Sequence, residues 1–206
     1  MLEVGCGHGF VTRELVRRAG GTVTAVDLDA DAVFAARAHA KGPDLLLAAA
    51  DARKLPFADG SFDLVFFQNT LMWIDPAEDA LKEAARVLQT GGALVALEPD
   101  YGGMIEEPDL GLRNIWLDAL ERAGADPVIG RRLPQLAEDV GLDPWVEFAH
   151  IPRAAESDEL ALLEELPLTM GQRRLLEGAR GIIAGAQGSW SVFLHVPYVL
   201  LVTPGA

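Results

Sequence analysis

A chain of 206 residues, half of them apolar, is long enough to bury the core of one domain. Its 17 basic and 31 acidic side chains leave a formal net charge of −14, and so acidic a surface repels phosphate backbones and anionic headgroups, arguing against nucleic acid and membrane as partners. The basic pairs Arg17-Arg18, Arg131-Arg132 and Arg173-Arg174 are isolated and make no stripe that would reverse this.

The chain opens on a short apolar strand, Met1 to Val4 at most, which runs into the turn Gly5-Cys6-Gly7-His8-Gly9 and a helix starting at Phe10. Glycines at alternate positions let the backbone turn sharply and leave no Cβ to hold a ligand away. The helix that follows aims unpaired N–H groups and its positive dipole end at the same spot. Val11, Leu15, Val16 and Ala19 form its apolar face, and Gly20-Gly21 stop it. The β-branched run Thr22 to Val26 predicts a second strand ending at Asp27. Asp31 is placed to cap a helix reaching Ala40, which Gly42-Pro43 ends.

Strands are predicted at Leu45 to Ala49 and Phe62 to Phe67, the second after the turn Ala58-Asp59-Gly60-Ser61. Asp75-Pro76 opens a helix through Leu88 with Leu81, Ala84, Ala85 and Leu88 inward. Gly91-Gly92 break it before a fifth strand, Ala93 to Leu97, which ends at Glu98. Strands alternating with helices of this length imply an α/β fold, a doubly wound and mostly parallel sheet. Further on, helices are expected at Pro108 to Ala123, Leu133 to Val140, Ser157 to Leu166 and Leu168 to Ala186, with strands at Val146 to Ile151 and Trp190 to Val202. No low-complexity linker or repeat divides the chain, so one domain is expected over 1–206.

The chemistry concentrates in the first half. In the dinucleotide fingerprint G-x-G-x-x-G a pyrophosphate rests on the helix N-terminus; here the third glycine, Gly9, comes one residue early and Phe10 stands where glycine is needed. Glu3 precedes the first glycine, where it would repel a pyrophosphate but suits a cation such as an amino-acid ammonium. Asp27, at the end of the second strand, can accept two hydrogen bonds from a ribose diol. The run from Asp51 continues Ala52-Arg53-Lys54-Leu55-Pro56-Phe57-Ala58-Asp59-Gly60-Ser61-Phe62-Asp63-Leu64-Val65.

Glu3 to Gly9 resembles motif I, (D/E)-x-G-x-G-x-G, of the class I methyltransferases that use S-adenosylmethionine. The run 51–65 is closely similar to the family's D-A-x-x-L-P-F-x-D-x-S-F-D-x-V. Arg86-Val87-Leu88-Gln89-Thr90-Gly91-Gly92-Ala93-Leu94 resembles R-V-L-x-P-G-G-x-L, with Thr90 where proline is usual. The resemblance covers about Met1 to Asp100 and implies a Rossmann-like seven-stranded sheet of order 3-2-1-4-5-7-6 with an antiparallel last strand. It implies a cofactor half over 1–100 and a substrate-side half over 101–206. It also implies S-adenosylmethionine as cofactor, S-adenosylhomocysteine as product, and methyl transfer to a small-molecule acceptor, as in the branch that includes quinone-biosynthesis enzymes. Carried onto this chain, the glycine turn is Gly5, Gly7 and Gly9; Asp27, with Leu28 beside it, serves the ribose; Asp51 and Ala52 serve the adenine; Gln68, Asn69 and Leu71 line the methionine portion. Glu3 either nears the ammonium through water or fixes the glycine turn.

The family's helices ahead of the first strand are missing from this reading, and Met72-Trp73 falls where a histidine is frequent. Both leave open a non-catalytic, cofactor-binding relative; an NAD(P)-dependent oxidoreductase is the remaining alternative, opposed by Phe10. No catalytic residue emerges. Trp73, Asp100, Tyr101, His150 and His195 are candidates for acceptor chemistry, the late histidines reading more readily as structural. No histidine and carboxylate set has metal-ligand spacing. Cys6 reads as a small residue that fits the turn, and as the single cysteine it closes no internal disulfide, which fits a reducing, cytoplasmic setting. No apolar run of about 18 residues predicts a membrane span.

Overall fold

The structure is a computed structural model and describes residues 1–149, 153–155, 160–186 and 189–204. Its elements begin with β1 (Leu2–Val4), α1 (Phe10–Arg18), β2 (Val23–Asp27), α2 (Ala30–His39), β3 (Leu45–Ala49) and β4 (Phe62–Gln68). A short 3-10 turn (Leu71–Trp73), α3 (Ala77–Val87) and β5 (Leu88–Pro99) follow. Then come β6 (Ile105–Glu107), α4 (Leu112–Arg122), α5 (Ile129–Asp139), β7 (Trp145–Ala149), β8 (Arg153–Ala154), α6 (Ala161–Glu165), α7 (Met170–Ala186), β9 (Phe193–His195) and β10 (Tyr198–Pro204).

Seven strands hydrogen-bond in the order β3-β2-β1-β4-β5-β10-β7, and the sheet is largely parallel with one antiparallel strand. With β7 and β10 as the sixth and seventh strands of the sheet, this is the expected Rossmann-like order. At the centre β1 is three residues long and wholly buried; Leu2, Glu3 and Val4 pair in parallel with Thr24, Ala25 and Val26 on one side and with Val65, Phe66 and Phe67 on the other. Two neighbours satisfy its backbone donors and acceptors, so its shortness does not expose it. The carboxyl ends of β1, β2, β3 and β4 therefore lie along one edge, where open α/β sheets hold their ligands. Helix α3 shows why the periodicity was readable: Ala77, Ala80, Leu81, Ala84 and Val87 are its buried residues, spaced along one face.

The chain forms two compact units. One comprises Met1–Glu98, Arg132–Glu147 and Leu200–Ala206, the other Pro99–Arg131 and Phe148–Val199. The second unit holds a three-stranded sheet, β6-β9-β8, that periodicity did not foretell because its strands are two or three residues long.

Several expected boundaries move for local reasons. Helix α2 starts at Ala30, capped by Asp29 rather than Asp31: the Asp29 carboxylate accepts the Asp31 N–H at 2.8 Å, and Asp31 sits in the first turn. Leu88 belongs to β5 instead of α3, and Gly91-Gly92 lie within that strand, whose register against β4 shifts between Phe62 and Leu64. Proline cannot donate to a ladder, and the expected strand from Trp190 to Val202 divides at Val196-Pro197 into β9 and β10. His150 and Ile151 lie outside the described residues. Among the described residues no helix is long and apolar enough to cross a membrane.

Candidate functional site

All three glycines of the first turn have positive φ: 81° at Gly5, 49° at Gly7 and 82° at Gly9. Their surroundings differ. A Cβ at Gly5 would overlap the Thr70 side chain, and one at Gly9 would lie 2.9 Å from the Ala36 Cβ, so these two let neighbouring segments approach. A Cβ at Gly7 would meet no protein atom within 4 Å. The turn is fixed from β2: Gly5 and Cys6 donate to the Val26 carbonyl at 2.8 and 3.0 Å, and Gly7 donates to Asp27 Oδ2 at 2.7 Å. Asp27 Oδ1 accepts the Asp29 N–H at 3.0 Å. A carboxylate has about four acceptor positions, so Asp27 ties down the loop and keeps acceptor capacity to spare.

Beneath the turn Glu3 is 3% exposed, and its Oε2 has no hydrogen-bond partner among the described residues. Burial pushes its carboxyl up to about 7; the Thr12 hydroxyl works against this, and the Asp27 charge adds to it. Burial also raises the Cys6 thiol to about 12, with Glu3 and Asp27 adding negative charge nearby. A thiol so protonated is no nucleophile at neutral pH.

Past β3, Asp51 is gripped by Arg53: Oδ1 accepts the Arg53 backbone N–H at 2.9 Å and Nε at 3.1 Å, and Oδ2 accepts Nη2 at 2.9 Å. These bonds hold the Asp51 carboxyl below its ordinary range. Arg53 Nη1 also donates to the Asp75 carbonyl at 2.9 Å. Past β4, Asn69 has a left-handed φ of 53°, which asparagine tolerates better than most residues.

These segments enclose a cavity of about 350 Å³ within the first unit, in the size range of small-molecule sites, about 300–1,000 Å³. Of the residues singled out from sequence, Gly5, Gly7, Asp27, Leu28, Asp51 and Ala52 line it, and so does Asn69. Glu3, Gly9, Gln68 and Leu71 are not among the lining residues. Glu3 lies under the turn, Gly9 against α2, and Leu71 is fully buried. Gln68 is the last residue of β4, and its carbonyl accepts the Thr70 hydroxyl at 3.0 Å.

Val4, Ala50, Arg53, Thr70, Ile74 and Asp75 also line the wall without having been foreseen as contacts. Arg53 and Asp75 carried one usable signal, their places just after a strand end and in the loop ahead of α3. Among the acceptor candidates Trp73 lines the cavity and is 44% exposed. In the second unit Asp100 pairs with Arg131 Nε at 2.9 Å through both carboxylate oxygens, and Tyr101 is buried with its ring stacked on Trp116 at 4.8 Å. Burial raises the Tyr101 hydroxyl well above its ordinary value. His195 is buried in β9. Among the described residues no cluster of His, Cys, Asp and Glu could hold a metal.

A glycine turn with open space above Gly7, an acid at the end of β2 and another past β3 thus meet in one cavity at one edge of the sheet. Residues 2–96 match the methyltransferase domain family. Methyltransferase GfsG of Streptomyces halstedii is 30% identical over 210 residues, taking in 98% of this chain and 72% of that protein. The chain belongs to the class I S-adenosylmethionine-dependent methyltransferases. Demethylmenaquinone methyltransferase of Beutenbergia cavernae is 38% identical over 98 residues, 48% of this chain and 40% of that one. Several other curated relatives are longer still, the chain spanning between 27% and 42% of their length. A solved methyltransferase structure from Bacillus halodurans C-125 superposes with a TM-score of 0.71 at 17% identity, covering 99% of this chain and 91% of that one, a likeness of fold.

Proposed function

We propose that the cavity at the carboxyl ends of β1 to β4 holds S-adenosylmethionine and that the chain transfers its methyl group to a small-molecule acceptor. The observation that carries the reading is the open space above Gly7 between two acids, Asp27 and Asp51, in one cavity. The donor set fits the group. Asp27 has acceptor positions left for a ribose diol, and Asp51 Oδ2, engaged once by Arg53, can accept an adenine amino group beside the Ala52 backbone. Leu28 lines the cavity next to Asp27, while Asn69, Thr70 and Trp73 lie along its wall for the amino-acid portion.

When bound, the cofactor supplies an electrophilic methyl on a sulfonium. This chain's residues bind, orient and shield. The glycine turn admits the ligand to backbone contact, Asp27 and Arg53 hold their loops in place before it arrives, and Trp73 and Ile74 supply apolar wall that excludes water. Glu3 lies beneath the turn and serves it from there, by its charge when ionised, rather than by direct contact.

The acidic surface and the relatives named for small acceptors, demethylmenaquinone among them, support a small-molecule substrate over nucleic acid. The test is calorimetric titration with S-adenosylhomocysteine beside NAD. Saturable binding of the first and none of the second is expected; the reverse result, or no binding of S-adenosylhomocysteine, overturns the reading.

A further inference from the structure

Glu98 lies one residue before the end of β5 with none of its surface exposed, and the proposed chemistry gives it no part. Its carboxylate accepts three backbone N–H groups from another segment: Thr70 at 2.8 Å and Leu71 at 2.9 Å, both on Oε1, and Met72 at 3.5 Å on Oε2. Those three N–H groups open the 3-10 turn that follows β4. A buried carboxylate is costly to keep unless its oxygens are satisfied, and here the loop satisfies it while the carboxylate satisfies the loop.

What Glu98 holds is the wall of the cavity. Parallel pairing of Gln68 with Leu97 brings Glu98 beside Asn69, whose N–H donates to the Leu97 carbonyl at 3.1 Å. The chain reverses at Asn69 in its left-handed conformation, and Thr70 then packs where a Cβ on Gly5 would be. The Thr70 hydroxyl reaches the Gly5 carbonyl at 3.5 Å. One contact chain thus runs from Glu98 through Thr70 to the first glycine of the cofactor turn.

We propose that Glu98 is a positioning residue for the cofactor, clamping the segment Asn69–Met72, whose Asn69 and Thr70 line the cavity, against the glycine turn through its three backbone hydrogen bonds. The proposal rests on the reading of the cavity as the S-adenosylmethionine site. An ionised carboxylate grips N–H groups harder than a neutral one, so the clamp is tightest when Glu98 is charged. Burial raises this carboxyl to about 7 and the three N–H groups pull it down. No charged side chain among the described residues contributes to that balance.

Two measurements on the whole chain test it. In ¹H–¹⁵N spectra from pH 5.5 to 8.5, the amide signals of Thr70 and Leu71 move together with a midpoint near that of the carboxyl, and in Glu98→Gln they stay still. In calorimetry at pH 8, S-adenosylhomocysteine binds Glu98→Gln about 10-fold more weakly, within the range of couplings between linked sites, about 5- to 150-fold. Glutamine keeps the size but turns an NH2 group toward N–H donors. If Glu98→Gln fails to fold, Glu98→Asp, one methylene short of the loop, replaces it in the calorimetry with the same expected weakening. Amide signals that do not titrate in the unmutated chain overturn the proposal, as does unchanged affinity in the variant. Titrating amides without any binding by the unmutated chain would instead refute the cofactor reading and leave the clamp standing as a structural device.

Discussion

Replacing each glycine of the first turn by alanine separates what the turn does for the fold from what it does for the ligand. All three have positive φ, so each alanine carries the left-handed penalty of about 1–2 kcal/mol. For Gly7→Ala that is the whole structural cost, because the new methyl meets no protein atom within 4 Å. For Gly5→Ala the methyl overlaps Thr70, and for Gly9→Ala it lies 2.9 Å from the Ala36 Cβ and 3.0 Å from its Cα. Overpacking of that kind adds about 1–3 kcal/mol. At about 2–4 °C per kcal/mol for a chain of this size, Gly7→Ala lowers the melting temperature by about 2–8 °C, and the other two by about 4–20 °C.

Binding ranks the variants in a different order. Gly7→Ala, the mildest for the fold, places a methyl on a cavity-lining residue and weakens S-adenosylhomocysteine by at least about 10-fold, or about 1.4 kcal/mol. Thermal melting and calorimetric titration of the same preparations decide the matter. Unchanged affinity in Gly7→Ala refutes the placement of the ligand over the turn. Destabilisation of Gly7→Ala equal to that of Gly5→Ala shows instead that the space above Gly7 is filled by protein.

Asp27→Ala removes two bonds to the ribose and weakens binding by about 10- to 100-fold, at about 1.5–3 kcal/mol for bonds to a charged group; because Gly7 and Asp29 lose their acceptor too, melting falls with it, and unaltered affinity would sink the ribose assignment. Arg53→Ala lets the Asp51 carboxyl rise toward its ordinary range at little cost in stability, since the pair is 42% and 36% exposed. Calorimetry should find binding about 3- to 10-fold weaker as Asp51 loses its orientation, and equal affinity would mean that Arg53 organises nothing. Glu3 carries a folded-state carboxyl raised from 4.5 to about 7, so its contribution to stability is full below about 4.5 and is lost as pH climbs through about 7. In urea unfolding from pH 5 to 8, Glu3→Gln removes up to about 3 kcal/mol of that decline; an equally steep decline in the variant would refute the assignment.

The fold was legible in the sequence where burial imposes a period. Helix α4 buries the residues whose spacing marked it, Leu112, Ile115, Trp116, Ala119 and Leu120, and the apolar run Leu45 to Ala49 forms β3 although none of its residues is fully buried. Boundaries failed where a single hydrogen bond or one proline decides: Asp29 outcompeted Asp31 for the α2 cap, and Pro197 cut the last strand in two. Around the cavity, spacing picked out lining residues just past the ends of β1, β2 and β3, because residues at strand ends gather along one edge of the sheet. The segment after β4 was misjudged one residue at a time. Leu71 looked exposed to the ligand and is core, while Thr70 beside it lines the wall. A 3-10 turn after a left-handed Asn69 reverses which side chains face inward, and no periodicity announces it.

A common device explains both the successes and the misses. Asp27 accepts from Gly7 and Asp29, Asp51 from Arg53, Glu98 from Thr70, Leu71 and Met72, and Glu83, in α3, from the Leu55 N–H at 2.8 Å. Each acid fixes backbone donors in a loop at or near the cavity edge. Such donors would otherwise need water, which a closing site expels. Read from sequence, an acid at a strand end looks like a ligand contact; in the structure it is first the clamp that gives the loop one conformation. The two roles are compatible because a carboxylate accepts about four hydrogen bonds and a loop uses only some of them. It follows that an acid with both oxygens buried, as in Glu98, has spent its capacity on the loop, whereas one at the cavity surface, as in Asp27, keeps acceptors for the ligand. Exposure of the carboxylate, more than its position in the motif, separates the acids with acceptors left for a ligand from those that only hold the loops.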